Sequence, residues 1–248
     1  EIAIRTMGLN LPKVLGRRHG LAANAVQIDR RRALQSARRS GGEMIHLPKR
    51  RAKPRRLNLV VLCDISGSMT SYSRMMMHFV HSVAQVQGQS WATVHGFTFG
   101  TRLHNISPLL TIKDPDAALR AIGSHVRDWE GGTRIASSLG DFNRHWARRV
   151  LSTPSVVLLI TDGLEREGIA KLESEMARMA LQTRELIWLN PLLRWGQFSP
   201  QAAGIRAMLP YVSSFVACHN LDSLQELSDS LKNGLHADHK KRLIGMLK

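Results

Sequence analysis

Apolar residues recur along this chain in two rhythms. Continuous runs at 57–63 (Leu-Asn-Leu-Val-Val-Leu-Cys) and 155–161 (Ser-Val-Val-Leu-Leu-Ile-Thr), with a shorter one at 186–189, read as strands buried on both faces. Helical spacing takes over between and after them. Met75, Phe79, Val83 and Val86 form one apolar face of a helix over about 71–87, and Ile135, Leu139, Phe142 and Trp146 mark a second. Ile169, Leu172, Met176 and Met179 mark a third, and Leu221, Leu224, Leu227 and Leu231 a terminal one. Shorter pieces fit between these. Residues 91–99 and 102–107 suit a hairpin-like pair around Gly100 at a sheet edge, and Asp114–Ile122 suits a helix with Pro115 in its first turn. A short helix is expected near 201–208 and a strand near 212–217. Ahead of the first apolar run, 29–39 reads as a short basic helix ended by Gly41-Gly42, with an extended piece at 43–47. Strands separated by helices imply right-handed crossovers and a mostly parallel sheet covered on both faces.

The chemistry gathers where the apolar runs stop. The first ends in Asp64-Ile-Ser-Gly-Ser68, a carboxylate followed by two hydroxyls at alternate positions and a glycine that lets the chain turn. That places Asp64, Ser66 and Ser68 in the crevice at the carboxyl end of a strand, where open α/β sheets bind ligands. Small oxygen donors, two of them neutral, suit a hard divalent cation better than a nucleotide or a nucleophile. Helix capping is the plainer reading of Ser66, Ser68 and Thr133, but capping does not require Asp162 at the end of the second run.

With Glu-Gly-Gly-Thr-Arg-Ile (130–135) and Val-Val-Leu-Leu-Ile-Thr-Asp-Gly (156–163), the chain resembles von Willebrand factor A-type (VWA) domains. Their metal-ion-dependent adhesion site (MIDAS) is Asp-x-Ser-x-Ser with a distant Thr and Asp. The resemblance implies a Rossmann-like α/β fold: a mostly parallel central sheet flanked by helices, one antiparallel edge strand, and the MIDAS at the carboxyl ends of the strands. It assigns the metal to Asp64, Ser66, Ser68, Thr133 and Asp162, with Mg2+ or Mn2+ as the ion and an acidic partner side chain completing its shell. Glu-Gly-Gly-Thr-Arg-Ile-Ala-Ser-Ser-Leu (130–139), Thr-Asp-Gly-Leu-Glu-Arg (161–166), Leu-Ile-Trp-Leu-Asn-Pro-Leu (186–192) and Leu-Pro-Tyr-Val (209–212) are similar to the CoxE-type branch, as is the arginine-rich stretch before 57. That branch implies an intracellular, non-enzymatic adaptor. It works with a MoxR-type AAA+ ATPase in maturing or remodelling a metalloenzyme such as the Mo/Cu carbon monoxide dehydrogenase. Arg134, Glu165 and Arg166 then stand on the rim of the crevice, where they either select an acidic partner segment or form local ion pairs.

Charge divides the chain. Residues 1–56 carry 15 Lys/Arg against 3 Asp/Glu, whereas residues 57–248 carry 20 against 16. The expected division is a basic segment at 1–56, a remnant of a longer region, then a VWA domain at 57–235 and a basic tail at 236–248. The basic segment could engage phosphates, an anionic membrane surface or an acidic protein. It contains no Phe, Tyr or Trp for base stacking, which disfavours nucleic acid. No apolar stretch approaches the roughly 20 residues of a membrane span, so the expected setting is cytoplasmic, with peripheral contact at the membrane's inner face left open. Cys63 and Cys218 read as small buried hydrophobes. His78 with His81, and His236 with His239, are weak ligand pairs, and Met75-Met76-Met77 suits core packing more than soft-metal handling. Trp188 suits the core, and Trp195 fits an exposed contact or its own loop equally well. A metal-dependent phosphatase with Asp64 as nucleophile is a further alternative, but Ser66 stands where such enzymes place a second Asp, and the Lys they need has no evident counterpart.

Overall fold

The computed structural model describes residues 14–44, 46–88, 91–126, 133–165, 168–191 and 202–218. Its contacts divide into two compact units, a smaller one up to Arg56 and a larger one from Leu57 onward. The expected terminal helix, Trp195, His236 and His239 lie outside the described residues.

The larger unit is built on a six-stranded sheet. β4 (Asn58–Asp64), β5 (Val94–Phe99), β6 (Leu103–Asn105), β7 (Ser155–Ile160), β8 (Glu185–Asn190) and β9 (Ser214–Ala217) lie in the order β6-β5-β4-β7-β8-β9. All pairings are parallel except β5 with β6, a tight hairpin that forms the antiparallel edge. The order reverses between β4 and β7, so the topological switch point lies between the two strands that end in Asp64 and just before Asp162. Every residue of β4 and β7 is buried, as their unbroken apolar runs require.

Helices cover both faces. The core on one face joins Val60, Leu62, Val157, Leu159 and Trp188 to Ile135, Leu139 and Phe142 of α4 (Ile135–His145) and Leu172, Met176 and Met179 of α6 (Ile169–Gln182). Phe97 meets the Phe142 ring edge-on at 5.3 Å. The remaining helices are α2 (Thr70–Gln85), α3 (Pro115–His125), α5 (Ala147–Val150) and α7 (Ala203–Met208). Asp114 caps α3 by accepting from Ala117 N, with Pro115 in the first turn.

The buried face of α2 differs from the expected one. Met76, Met77, Phe79, Val80 and Val83 are buried while Met75 and Val86 are only half-buried, because α2 packs against β4 and β5 and also against α3 and its approach. Two contact surfaces bury a wider stripe than one period-3.6 seam. His81 belongs to that packing, with Nε2 2.7 Å from Ile112 O. No described helix is long and apolar enough to cross a membrane.

The smaller unit contains β1 (Val14–Leu21), β2 (Gln27–Ile28), α1 (Arg30–Arg39) and β3 (Lys49–Arg55). They form a three-stranded antiparallel sheet in the order β1-β3-β2, with α1 capped by Asp29, whose Oδ1 accepts from Arg32 N. The basic helix matches expectation. The extended piece expected at 43–47 instead begins at Lys49, and β1 was not anticipated, because neither strand has alternating apolar residues to announce it.

Candidate metal centre

Two loops meet at the switch point, and they are tied by the same device used twice. Asp64 closes its own loop by accepting from Ser66 N at Oδ1 (2.8 Å), and Asp162 does likewise from Leu164 N (2.9 Å). Each second carboxylate oxygen then takes a hydroxyl from the other loop. Asp64 Oδ2 accepts from Thr161 Oγ1 at 2.7 Å, and Asp162 Oδ2 accepts from Ser68 Oγ at 2.6 Å. Ser66 Oγ lies 3.2 Å from Ser68 Oγ. Four of the five sequence-identified residues are thereby brought together.

Thr133, half-buried, directly precedes Arg134, the N-cap of α4. Arg134 N bonds Gly100 O, just beyond Phe99, and Phe99 pairs in register with Asp64. The start of α4 is thus held at the same end of the sheet. Glu165 contributes to that hold, because its Oε2 accepts from Ala136 N at 2.8 Å. The Arg134 residue is exposed, as a rim position requires, whereas Arg166 lies outside the described residues.

Residues not assigned to the site from the sequence complete the frame. Trp188 Nε1 donates to Thr161 O (2.8 Å) and Asn190 Nδ2 to Asp162 O (3.1 Å), so the neighbouring strand fixes the backbone under both residues. Gly163 adopts φ +76°, and a Cβ on Gly204 would run into the Gly163 carbonyl oxygen. That close approach lets the first turn of α7 lie against the Asp162 loop. Thr161 could have been noticed, since it sits directly before Asp162, but its polar tip gave no hint that it would reach Asp64 across the switch point.

Electrostatics leave the pair of carboxylates uncompensated. Asp64 and Asp162 are 0% and 3% exposed, and no Lys or Arg among the described residues forms an ion pair with either. Burial pushes the Asp64 carboxyl up to about 6 against the pull of the Ser66 N–H and the Thr161 hydroxyl, and the Asp162 charge adds to the rise. Buried charges ordinarily pair or hold a metal. The donor set fits a hard cation in spacing as well as in kind. Oxygens around octahedral Mg2+ at about 2.1 Å are separated by about 3 Å, and the 2.6 and 3.2 Å separations here bracket that value. Cys63, beside Asp64, offers no thiolate, since burial holds its thiol well above the ordinary range.

A mostly parallel sheet in this order, with the Asp-x-Ser-x-Ser loop facing a Thr-Asp loop across the switch point, defines a VWA-type α/β domain. The profile of the family described as VWA domain containing CoxE-like protein matches residues 1–224, and the chain belongs to that family. Among solved structures, a von Willebrand factor type A protein from Catenulispora acidiphila is similar at TM-score 0.51 and 16% identity, over 73% of this chain and 43% of that one. The SpRpn10 VWA domain is similar at TM-score 0.45 and 14% identity, over 73% and 99% respectively. Proximal thread matrix protein 1 from the mussel byssus, in a structure with a zinc-occupied MIDAS motif, is similar at TM-score 0.46 and 17% identity, over 71% and 47%. The chain therefore spans less than half the length of two of these three. No curated protein matches it significantly.

Proposed function

We propose that the crevice between β4 and β7 is a divalent-metal site through which this chain docks an acidic side chain of a partner. One observation carries the reading: two buried carboxylates each accept a hydroxyl from the other's loop and have no described cation to neutralise them. When bound, Mg2+ or Mn2+ would supply a positive coordination position facing outward, held by Ser66, Ser68 and Thr133, with Asp64 and Asp162 orienting its shell. The protein's own part is rigidity. Thr161, Trp188 and Asn190 hold the carboxylates in place before any ligand arrives, so little ordering remains for binding to overcome.

Family membership favours an adaptor rather than an enzyme. The partner we infer is a MoxR-type AAA+ ATPase, with a metalloenzyme such as carbon monoxide dehydrogenase as client. Capture of partners from the native host in Mg2+ and in EDTA, identified by mass spectrometry, tests this. Recovery of an AAA+ ATPase by the parent in Mg2+ only, and not by Asp64→Ala, is the expected result. Equal recovery in both buffers would leave the crevice a structural feature.

A further inference from the structure

We infer that one exposed face of the small antiparallel sheet is a docking strip for an extended, carboxylate-rich segment of a partner protein. The central strand β3 places Lys49, Arg51, Lys53 and Arg55 at alternate positions, hence on one face at intervals of about 7 Å, and all four are exposed. The neighbouring strand is low at two positions, Gly16 and Gly20. Gly20 stands opposite Arg51, and the Lys53 stem lies across it, so a Cβ on Gly20 would sit 2.6 Å from Lys53 Cε. Gly16 occupies the same side, where its Cβ would lie 3.6 Å from that of Arg55. A row of four exposed cations beside two glycines is open to a chain lying along it.

Among the described residues of the unit, no ion pair neutralises the row. Residues 13–56 hold 14 Lys/Arg and only two acids, Asp29 and Glu43, and Asp29 is engaged by Arg32. An extended peptide repeats its side chains at the same interval of about 7 Å, so carboxylates at every second position match the row one for one. Two features favour a protein over other polyanions. The segment has no aromatic residue to stack on a base. Leu15 and Leu21, at 74% and 60% exposure, pair with Pro54 and Arg50, placing them on the opposite face from the row. A bilayer meeting the cations would leave these aliphatics in water, whereas a protein can cover both faces.

The test uses the whole chain in EDTA, so that it does not depend on the metal site. Fluorescence anisotropy reads binding of a labelled (Glu-Ser)6 peptide, with oligo-dT20 and phosphatidylglycerol vesicles as parallel probes. Lys49→Gln/Arg51→Gln/Lys53→Gln/Arg55→Gln is compared with the charge-matched Arg30→Gln/Arg31→Gln/Arg38→Gln/Arg39→Gln on α1, each checked for an unchanged circular dichroism spectrum. Lys49→Arg/Lys53→Arg, which keeps the row charged, should bind like the parent even if the Gln variant unfolds. The proposal predicts about a tenfold loss of peptide affinity for the row variant and about twofold or less for the α1 variant. Equal losses in the two variants, or none in the row variant, would overturn it. So would DNA or vesicles binding the row more tightly than the peptide, which would make the occupant a phosphate polyanion.

Discussion

β3 and β4 are both seven residues long and only two residues apart in the chain, yet they are stabilised by opposite means. In β4 all seven side chains are buried, and the strand is held by what lies above and below it. In β3 five are exposed and the other two half-buried, so its backbone ladder carries the strand with almost no apolar burial. The contrast extends to the units they belong to. Among the described residues of 14–56 the only buried apolar side chains are Ala25, Ala33 and Ala37, while Leu15, Leu21, Val26, Leu34, Met44 and Leu47 are exposed. A unit of that size with so small a core is marginal by itself. Burial fixes the Asp64 and Asp162 loops in one geometry; the basic unit instead keeps its side chains available.

That comparison is broken most easily from the core side. Leu159→Ala, in the fully buried β7, should cost about 2–5 kcal/mol in chemical denaturation, because the packed sheet cannot close over the lost volume. A much smaller loss would show that the sheet is looser than its burial implies.

Metal-free stability should also fall as pH rises through the Asp64 transition. The native carboxyl titrates near 6 and the unfolded one near 3.9, so the native state holds the proton more tightly. Its favourable contribution is complete below about pH 4 and is lost as pH passes 6, a change of up to about 3 kcal/mol. In EDTA, Asp64→Asn should flatten that part of the pH profile; an unchanged profile would mean Asp64 is not the group responsible.

Two substitutions sharpen the account of the frame. Gly204→Ala should cost about 1–3 kcal/mol, since the new methyl must displace the Gly163 carbonyl and with it the Asp162 loop. Thr161→Val should cost about 1–2 kcal/mol by leaving a buried Asp64 oxygen without its donor. Thr161→Ser should restore most of that stability, whereas a pure packing role would not be rescued. At the other extreme, Leu34→Ser on the exposed side of α1 should stay within about 0.5 kcal/mol of the parent.

How much of this could be read in advance follows from the same contrast. The strands of the large sheet were legible because burial on both faces writes itself as uninterrupted Val, Leu and Ile. Asp64 and Asp162 stood out as candidates because they sit at the ends of those runs, where topology concentrates function, whereas Thr133 entered only through the family resemblance. The buried stripe of α2 was read too narrowly, since a helix pressed from two directions no longer follows one period. β1 and β3 were illegible as strands, because an exposed ladder needs no hydrophobic pattern and a row of Lys and Arg looks like a solvated run. Thr161 and Asn190 were missed for a different reason: their partners lie across strand boundaries, and only the register brings them together.

The central claim is that Asp64 and Asp162 are held ready for a divalent cation, and thermal unfolding with and without metal tests it most directly. Mg2+ or Mn2+ at about ten times its dissociation constant should raise the midpoint of the parent by about 3–5 °C, and leave Asp64→Ala and Asp162→Ala unmoved. A parent that does not respond to either ion, or variants that respond as strongly as the parent, would contradict the account.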